Sequence, residues 1–392
     1  MLSASTTPVR QSSVRAHNLA LVLHTVANSA NPPSRAAVSA ATGLTRATVS
    51  ALVDDLLAGG LLVEVDPPPR TGAGRPAAGL ALTSTGPAGL GLEINVDYLA
   101  ACVVDLTGAV RHRHVEHADQ RPADPAQALA ALGSLAARAR HAAETDGLIV
   151  AGAALAVPGL VAGGLVRVAP NLGWQDVDAV QALLGIPELA DLPITVDNEA
   201  NLAALGELRV AGGDPAGHHS PPGAGSGHSR PGEENSFLYV SGEIGIGAGL
   251  VLDGELYRGV RGWSGEIGHV TVYPDGRPCR CGARGCLEQY AGQEALDAGE
   301  PLAAAALGIA LSAVVNLLDV PVIVLGGAYA PIFASLRDGI EAELRARVLT
   351  SALAPVVLRP ASLGADAAMR GAADTIIRGV REDPATWLRR LT

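Results

Sequence analysis

The sequence predicts an α/β protein with a separate N-terminal head, and three observations carry that expectation. After the head, apolar strand-like runs alternate with Ala-rich helical stretches. They fall into two blocks, each opening on strands joined by a tight turn, from Gly91 and from Phe237, which implies two lobes with a cleft between them. Before them, to about Gly86, short helices run into a β-ribbon. The 392 residues allow two or three domains, and 48% hydrophobic residues suffice for their cores. Aromatic residues make up only 3%, so those cores rest on Ala, Val, Leu and Ile.

In the head, Ser34 to Ala41 reads as a short helix stopped by Thr42-Gly43, where glycine supplies the left-handed turn. Thr45 caps a second helix, on which Val49, Leu52, Val53 and Leu56 share one face at i, i+3, i+4, i+7 spacing. Arg46, Ala47, Ser50 and Ala51 are left facing outward. This is the layout of a helix-turn-helix whose second helix is offered to the major groove. After Gly59-Gly60, Leu61 to Val65 and Gly79 to Leu82 pair as a ribbon around Arg70-Thr-Gly-Ala-Gly-Arg75-Pro76. Arginines in a narrow loop suit phosphates or an A·T-rich minor groove, which completes a winged helix-turn-helix. The DNA-facing candidates are Arg35, Thr45, Arg46, Thr48, Ser50, Arg70 and Arg75, with Arg15 and Arg35 assigned to phosphates rather than bases. The competing reading is a helical hairpin used for protein contacts.

Charge is distributed to match. The net charge is −11, yet residues 1–87 hold six arginines against four acids, and the remainder holds 22 against 35. A mildly basic head on an acidic body confines DNA contact to one end. There is no Lys, so all 28 basic residues are Arg. No apolar run reaches the 18 residues needed to span a bilayer, and no signal-peptide core opens the chain. The expectation is a cytoplasmic protein with no membrane partner.

Within the first block, Gly91 to Val110 reads as two strands joined by a turn at Leu106-Thr107-Gly108, followed by a helix from Pro125 to Glu144 and a buried strand from Leu148 to Val157. Asp214 to Glu234, rich in Gly, Pro, Ser and His, reads as a flexible surface insertion with His218, His219 and His228 solvated. In the second block, Phe237 to Ser241 and Gly249 to Leu252 are strand-like, Ala303 to Leu318 is helical, and Val322 to Leu325 is a strand before Gly326-Gly327. The expected boundaries are a head at 1–87, a first lobe at 88–200, and a second lobe at 201–370 with an insertion at 212–235. A C-terminal helix at 371–392 would pack back on the first lobe.

Three of the four cysteines fall within Cys279-Arg-Cys281-Gly-Ala-Arg-Gly-Cys286, with His269 ten residues before the first. A Cys₃His set matches a closed tetrahedral structural zinc site, and Gly282 and Gly285 allow the tight path it needs. Free or disulfide-paired thiols are the alternative, and a cytoplasmic setting disfavours the disulfide. Cys102 stands apart as a core thiol.

Gly262-Trp-Ser-Gly-Glu266-Ile-Gly-His269, followed by the cysteine run ending in Leu-Glu288, resembles the signature of the ROK family of repressors and sugar kinases. Val157-Pro-Gly-Leu160, Ala169-Pro-Asn-Leu-Gly-Trp174, Asp197-Asn-Glu-Ala-Asn201 and Val324-Leu-Gly-Gly327 extend the resemblance over nearly the whole chain, and the winged head places it in the repressor branch. The resemblance implies an actin-like two-lobed fold, a sugar bound in the cleft, and a homodimer or homotetramer. It carries Asn198, Glu266, His269 and Glu288 over as partners of sugar hydroxyls, with Gly159 and Glu199 beside them. Carboxylates, an amide and an imidazole in one cleft suit a polyol; xylose, glucose and N-acetylglucosamine are all compatible. His269 would serve metal and sugar, one through each ring nitrogen.

The same resemblance implies lost kinase chemistry. The family's kinases carry an Asp as general base where this chain has Glu199, and a misplacement of about 1 Å can cost about 10²-fold. The first phosphate loop, Asp-x-Gly-x-Thr in those kinases, reads Glu93-Ile-Asn95-Val-Asp97, and the second, Gly-Thr-Gly, reads Ser241-Gly242-Glu243. Glu93, Asp97 and Glu243 add negative charge where phosphate would lie. Gly245, Gly247, Gly326 and Gly327 are left as turn and packing residues. Between Gln293-Glu-Ala-Leu296 and Pro301 the chain is also shorter than the family's usual helical segment, which would border the cleft or the subunit contact. The expectation is a sugar-responsive repressor on an inverted-repeat operator, with structural zinc, no catalytic residue and no ATP. The alternative is an active ATP-dependent sugar kinase that also binds DNA.

Overall fold

The computed structural model describes residues 11–66, 78–121, 124–211, 235–242 and 245–391. The chain begins with α1 (Gln11–Ala27), α2 (Arg35–Thr42), α3 (Arg46–Ala58) and an antiparallel ribbon of β1 (Leu62–Val65) and β2 (Gly79–Leu82). Local chemistry sets the helix ends. Ser34 accepts a hydrogen bond from the Ala37 amide at 3.2 Å to open α2, and Gly43, at φ 72°, closes it. Thr45 accepts from the Thr48 amide at 3.2 Å to open α3. The axis turns by 117° between α2 and α3, and Val38, Val49, Leu52, Val53 and Leu56 are buried in the core this creates.

Next come β3 (Gly86–Ile94), β4 (Tyr98–Asp105), β5 (Val110–His117), α4 (Pro125–Thr145) and β6 (Leu148–Val157). A small sheet of β7 (Leu160–Ala162), β8 (Leu165–Ala169) and β9 (Trp174–Val177) precedes α5 (Ala179–Leu184), β10 (Ile194–Asn198) and α6 (Glu199–Ala211). The rest of the chain supplies β11 (Phe237–Gly242), β12 (Ile246–Leu252), β13 (Glu255–Tyr257), α7 (Glu288–Ala291), α8 (Gln293–Asp297) and α9 (Ala303–Leu318). It ends with β14 (Val322–Gly327), α10 (Phe333–Arg347), β15 (Val357–Pro360), α11 (Ala367–Glu382) and α12 (Pro384–Arg390).

Two five-stranded sheets result, ordered β10-β6-β3-β4-β5 and β13-β12-β11-β14-β15. They share one plan: three antiparallel strands, then two more running parallel to the first of the three. Strand β6 has parallel partners on both sides, which accounts for its nearly unbroken apolar sequence. Between the sheets, α11 lies on β3, β4 and β6, and α6 lies between α11 and β12. The two helices cross where Gly206 meets Gly371; a Cβ on Gly206 would come 2.9 Å from the Ala367 carbonyl oxygen. Such close crossings let a Gly- and Ala-rich chain build cores with few aromatics.

Two expectations are revised. The stretch expected to hold two strands from Gly91 holds three, because β3 starts at Gly86 and residues 95–97 already break it from β4. The third, β5, runs Val110-Arg-His-Arg-His-Val-Glu-His117, a polar sequence suited to the sheet edge it occupies. The C-terminal segment is two helices rather than one. α11 starts at Ala367, ahead of the expected boundary at 371, and Asp383 caps α12, which packs against α1 and α3. Leu19, Leu23, Leu56, Ile377 and Trp387 consequently belong to one buried cluster, so the N-terminal helices and the first sheet share a core. Among the described residues, no single helix is long and apolar enough to cross a membrane.

Candidate functional site

The metal-ligand candidates lie on a single helical turn, Ile267–His269, and on the loop 279–286. The loop doubles back through Gly282 (φ 94°), with the Cys279 amide donating to the Ala283 carbonyl at 2.8 Å. The ligand atoms of His269, Cys279, Cys281 and Cys286 all lie within 4.8 Å of one another. Cys279 Sγ is 3.8 Å from His269 Nδ1, and Cys281 Sγ is 3.7 Å from Cys286 Sγ. A tetrahedral zinc with Zn–S bonds of about 2.3 Å has S···S edges of about 3.8 Å, so the spacing fits. Burial and the adjacent Cys281 and Cys279 push the Cys286 thiol up to about 12, the expected burden of crowding thiols that a cation would relieve. All four cysteines are free thiols, with Cys102 buried elsewhere.

Across the cleft, Asn198 ends β10 and Glu199 begins α6. Asn198 Oδ1 accepts from the amides of Ala200 (2.9 Å) and Asn201 (3.2 Å), while its Nδ2 donates to the Gly159 carbonyl and to Glu199 Oε2, both at 3.0 Å. Gly159 has φ 144°, and a side chain there would collide with the Val168 carbonyl. Neighbouring Asp197 pairs with Arg258, which follows β13, and so ties the first lobe to the second.

The edge of β12 brings the two sides together. A Cβ on Gly245 would lie 3.1 Å from Glu288 Oε2 and 3.5 Å from Asn171 Nδ2, and one on Gly247 would lie 3.6 Å from Glu199 Oε1. These two glycines therefore border the cleft, in addition to the packing role expected of them; Gly326 packs on the Tyr239 ring. Gly268 rests on the Ile246 backbone and holds the turn that carries Glu266 and His269. Enclosure of the Glu266 carboxyl raises it above the usual carboxylate range, with His269 opposing and Glu288 reinforcing the shift. The nominated residues thus form two facing groups, Gly159, Asn198 and Glu199 against Glu266, His269 and Glu288. Asn171 joins them; its only signal in the sequence was the Ala169-Pro-Asn-Leu-Gly-Trp174 motif.

At the position that the resemblance assigns to the first phosphate loop, polar side chains bond to one another. Tyr98 donates to Glu93 Oε1 at 2.6 Å, and Asn95 Nδ2 donates to the Tyr98 hydroxyl at 3.4 Å. Glu93, Asn95 and Ser241 are buried. The cavity among Glu93, Tyr98, Glu199, Ser241 and Gly327 measures about 10 Å³. Asp97 is a correction: it is exposed and pairs with Arg121 at 3.2 Å, away from this cavity. Glu243 lies outside the described residues.

On α3, Arg46, Ala47 and Ala51 are exposed and Ser50 is half-buried. Thr45 and Thr48 are bonded to each other through their hydroxyls at 2.8 Å. Arg35, nominated as a phosphate contact, has its guanidinium held by Asp54 at 2.6 Å and Glu64 at 2.9 Å. Arg15 likewise pairs with Asp55. Arg70, Arg75 and residues 212–234 lie outside the described residues.

Comparison with known proteins adds four likenesses. The ROK family profile matches residues 89–217 and 228–300. The chain is 29% identical over 378 residues to the xylose repressor of Bacillus spizizenii, covering 88% of this chain and 91% of that one. A solved ROK family transcriptional regulator, a homologue of the E. coli MLC protein, superposes with a TM-score of 0.74 at 23% identity, covering 96% of this chain and 99% of that one. The ROK hexokinase from Thermus thermophilus superposes with a TM-score of 0.58 at 30% identity, over 75% of this chain and 99% of that one.

Proposed function

The chain belongs to the ROK family, and from that premise we propose that it is a sugar-responsive transcriptional repressor. Residues 1–87 act as a winged helix-turn-helix, with α3 in the major groove. Arg46, Thr48 and Ser50 lie toward the DNA, Thr45 sits at the helix start, and Arg70 and Arg75 of the wing reach phosphates or the minor groove. Paired heads of a homodimer or homotetramer read an inverted-repeat operator.

The body senses a sugar between its lobes through Gly159, Asn198, Glu199, Glu266, His269 and Glu288. Xylose is the first candidate, because the relative matched over most of the chain is a xylose repressor. Zinc on His269, Cys279, Cys281 and Cys286 is structural and would anchor the segment carrying Glu288. The observation that carries the reading is the contrast within one cleft. Polar groups converge at the sugar end, while at the phosphate end Glu93, bonded by Tyr98, sets a carboxylate that would oppose phosphate. Such a cleft binds sugar without transferring phosphate, so Glu199 is not a catalytic base and ATP is not a cofactor.

The test is fluorescence anisotropy with DNA from upstream of the protein's own gene, titrated with and without xylose, glucose and N-acetylglucosamine. One sugar should shift DNA affinity by about 5- to 150-fold, the usual range of coupling between sites. Absence of DNA binding at low salt would overturn the reading, and ATP-dependent sugar phosphorylation at ordinary kinase rates would favour a DNA-binding kinase instead.

A further inference from the structure

We propose that the effector is a glycoside of two sugar units, whose second ring occupies a polar pocket beside Glu288. The inference rests on the sugar-sensing reading and deepens it. The pocket has a volume of about 250 Å³ and is lined by Asn171, Arg277, Arg280, Glu288, Gln289 and Glu294. That leaves room for one sugar ring. Glu288 and Asn171 join it to the cleft, since both also close on Gly245. A ring seated against Glu288 in the cleft therefore has its glycosidic partner within reach of the pocket.

The lining selects the ligand class. Amide, guanidinium and carboxylate groups stand side by side, and the remaining wall is small: Gly292, Ala295 and Ala298. An apolar ligand finds nothing to bury against. An anion meets three carboxylates, Glu288, Glu294 and Glu300, and only two guanidinium groups. Both of those are engaged already, Arg277 with Glu300 at 2.5 Å and Arg280 with Glu294 at 2.9 Å. Arg277 is further held 4.9 Å over the Tyr290 ring. A neutral polyol, by contrast, uses donors and acceptors together.

The link between α8 and α9 forms part of the pocket wall. α8 ends at Asp297 and α9 starts at Ala303, and two residues of the link, Ala298 and Glu300, line the pocket themselves.

Isothermal titration calorimetry on the full-length, zinc-loaded protein tests this with xylose, xylobiose, glucose, cellobiose, maltose and glucose 6-phosphate. At least one disaccharide should bind about tenfold or more tightly than its own monosaccharide. Ala298→Trp, placed on the exposed end of α8, should abolish that advantage while monosaccharide affinity stays within about twofold. Monosaccharide binding with no gain for any disaccharide overturns the proposal and leaves the sensor reading intact. Tightest binding by glucose 6-phosphate overturns it in favour of an anion site. Failure of every sugar to bind removes the sensor reading and this proposal with it.

Discussion

Trp387 donates its indole N–H to the backbone carbonyl of Gly59 at 3.0 Å, fastening the last helix of the chain to the end of α3. Leu388 packs on the same glycine, and Arg390 donates to the Ala151 carbonyl on β6 at 2.8 Å. Helix α12 therefore bridges the DNA-reading helices and the first sheet. In the proposed mechanism, a rearrangement of the lobes would reach α3 through the packed side chains of α12. Trp387→Ala should destabilise the protein by about 3–5 kcal/mol, read from urea unfolding. Trp387→Phe keeps most of the packing and loses a hydrogen bond worth about 1 kcal/mol. In that variant, sugar affinity should hold while the sugar-induced change in DNA affinity shrinks; an unchanged response would remove α12 from the relay.

Cys281→Ser opens the metal set two turns of chain away from the cleft residue Glu288. Metal content by mass spectrometry, the melting temperature and sugar affinity should all fall together, because the loop 279–286 leads directly into Glu288. Normal sugar affinity in a metal-free variant would separate the two sites.

Arg46 and Arg35 are both DNA-contact candidates but should behave differently. Arg46→Ala should cost about 1–3 kcal/mol of operator affinity and flatten its salt dependence. Arg35→Ala breaks two part-exposed ion pairs, each worth about 0.2–1 kcal/mol, so it should lower stability while leaving DNA affinity of the folded protein near wild type. Equal losses of DNA affinity in the two variants would return Arg35 to the interface.

Glu199→Asp restores the carboxylate length of the family's kinases, yet it should not restore catalysis. Glu93, bonded to Tyr98, still sets a carboxylate where the resemblance places phosphate. A coupled assay with ATP and the bound sugar should stay below about 1 s⁻¹, the low end of ordinary enzyme turnover. Turnover above that in either protein would show that Glu93 does not exclude phosphate.

Features encoded by neighbouring residues were legible in the sequence. Thr45 and Gly43 mark helix ends through their own hydrogen bonds, and the spacing of Val49, Leu52, Val53 and Leu56 marks a buried face. The cysteine spacing specifies its metal geometry within eight residues. Partners distant in sequence were not legible. Nothing near Arg35 announces Asp54 and Glu64, nothing near Asp197 announces Arg258, and Trp387 lies 328 residues from Gly59. Periodicity tells which face is buried, not what buries it. Strand β5 was missed for a related reason, since an edge strand needs no apolar alternation.

In the proposed mechanism the sugar cleft and α3 are energetically coupled. Thermodynamic linkage makes that claim directly measurable by titrating sugar against the protein alone and against its saturated operator complex. The account requires the two sugar affinities to differ, by the same factor by which sugar changes operator affinity. Identical sugar affinity with and without bound operator would contradict it.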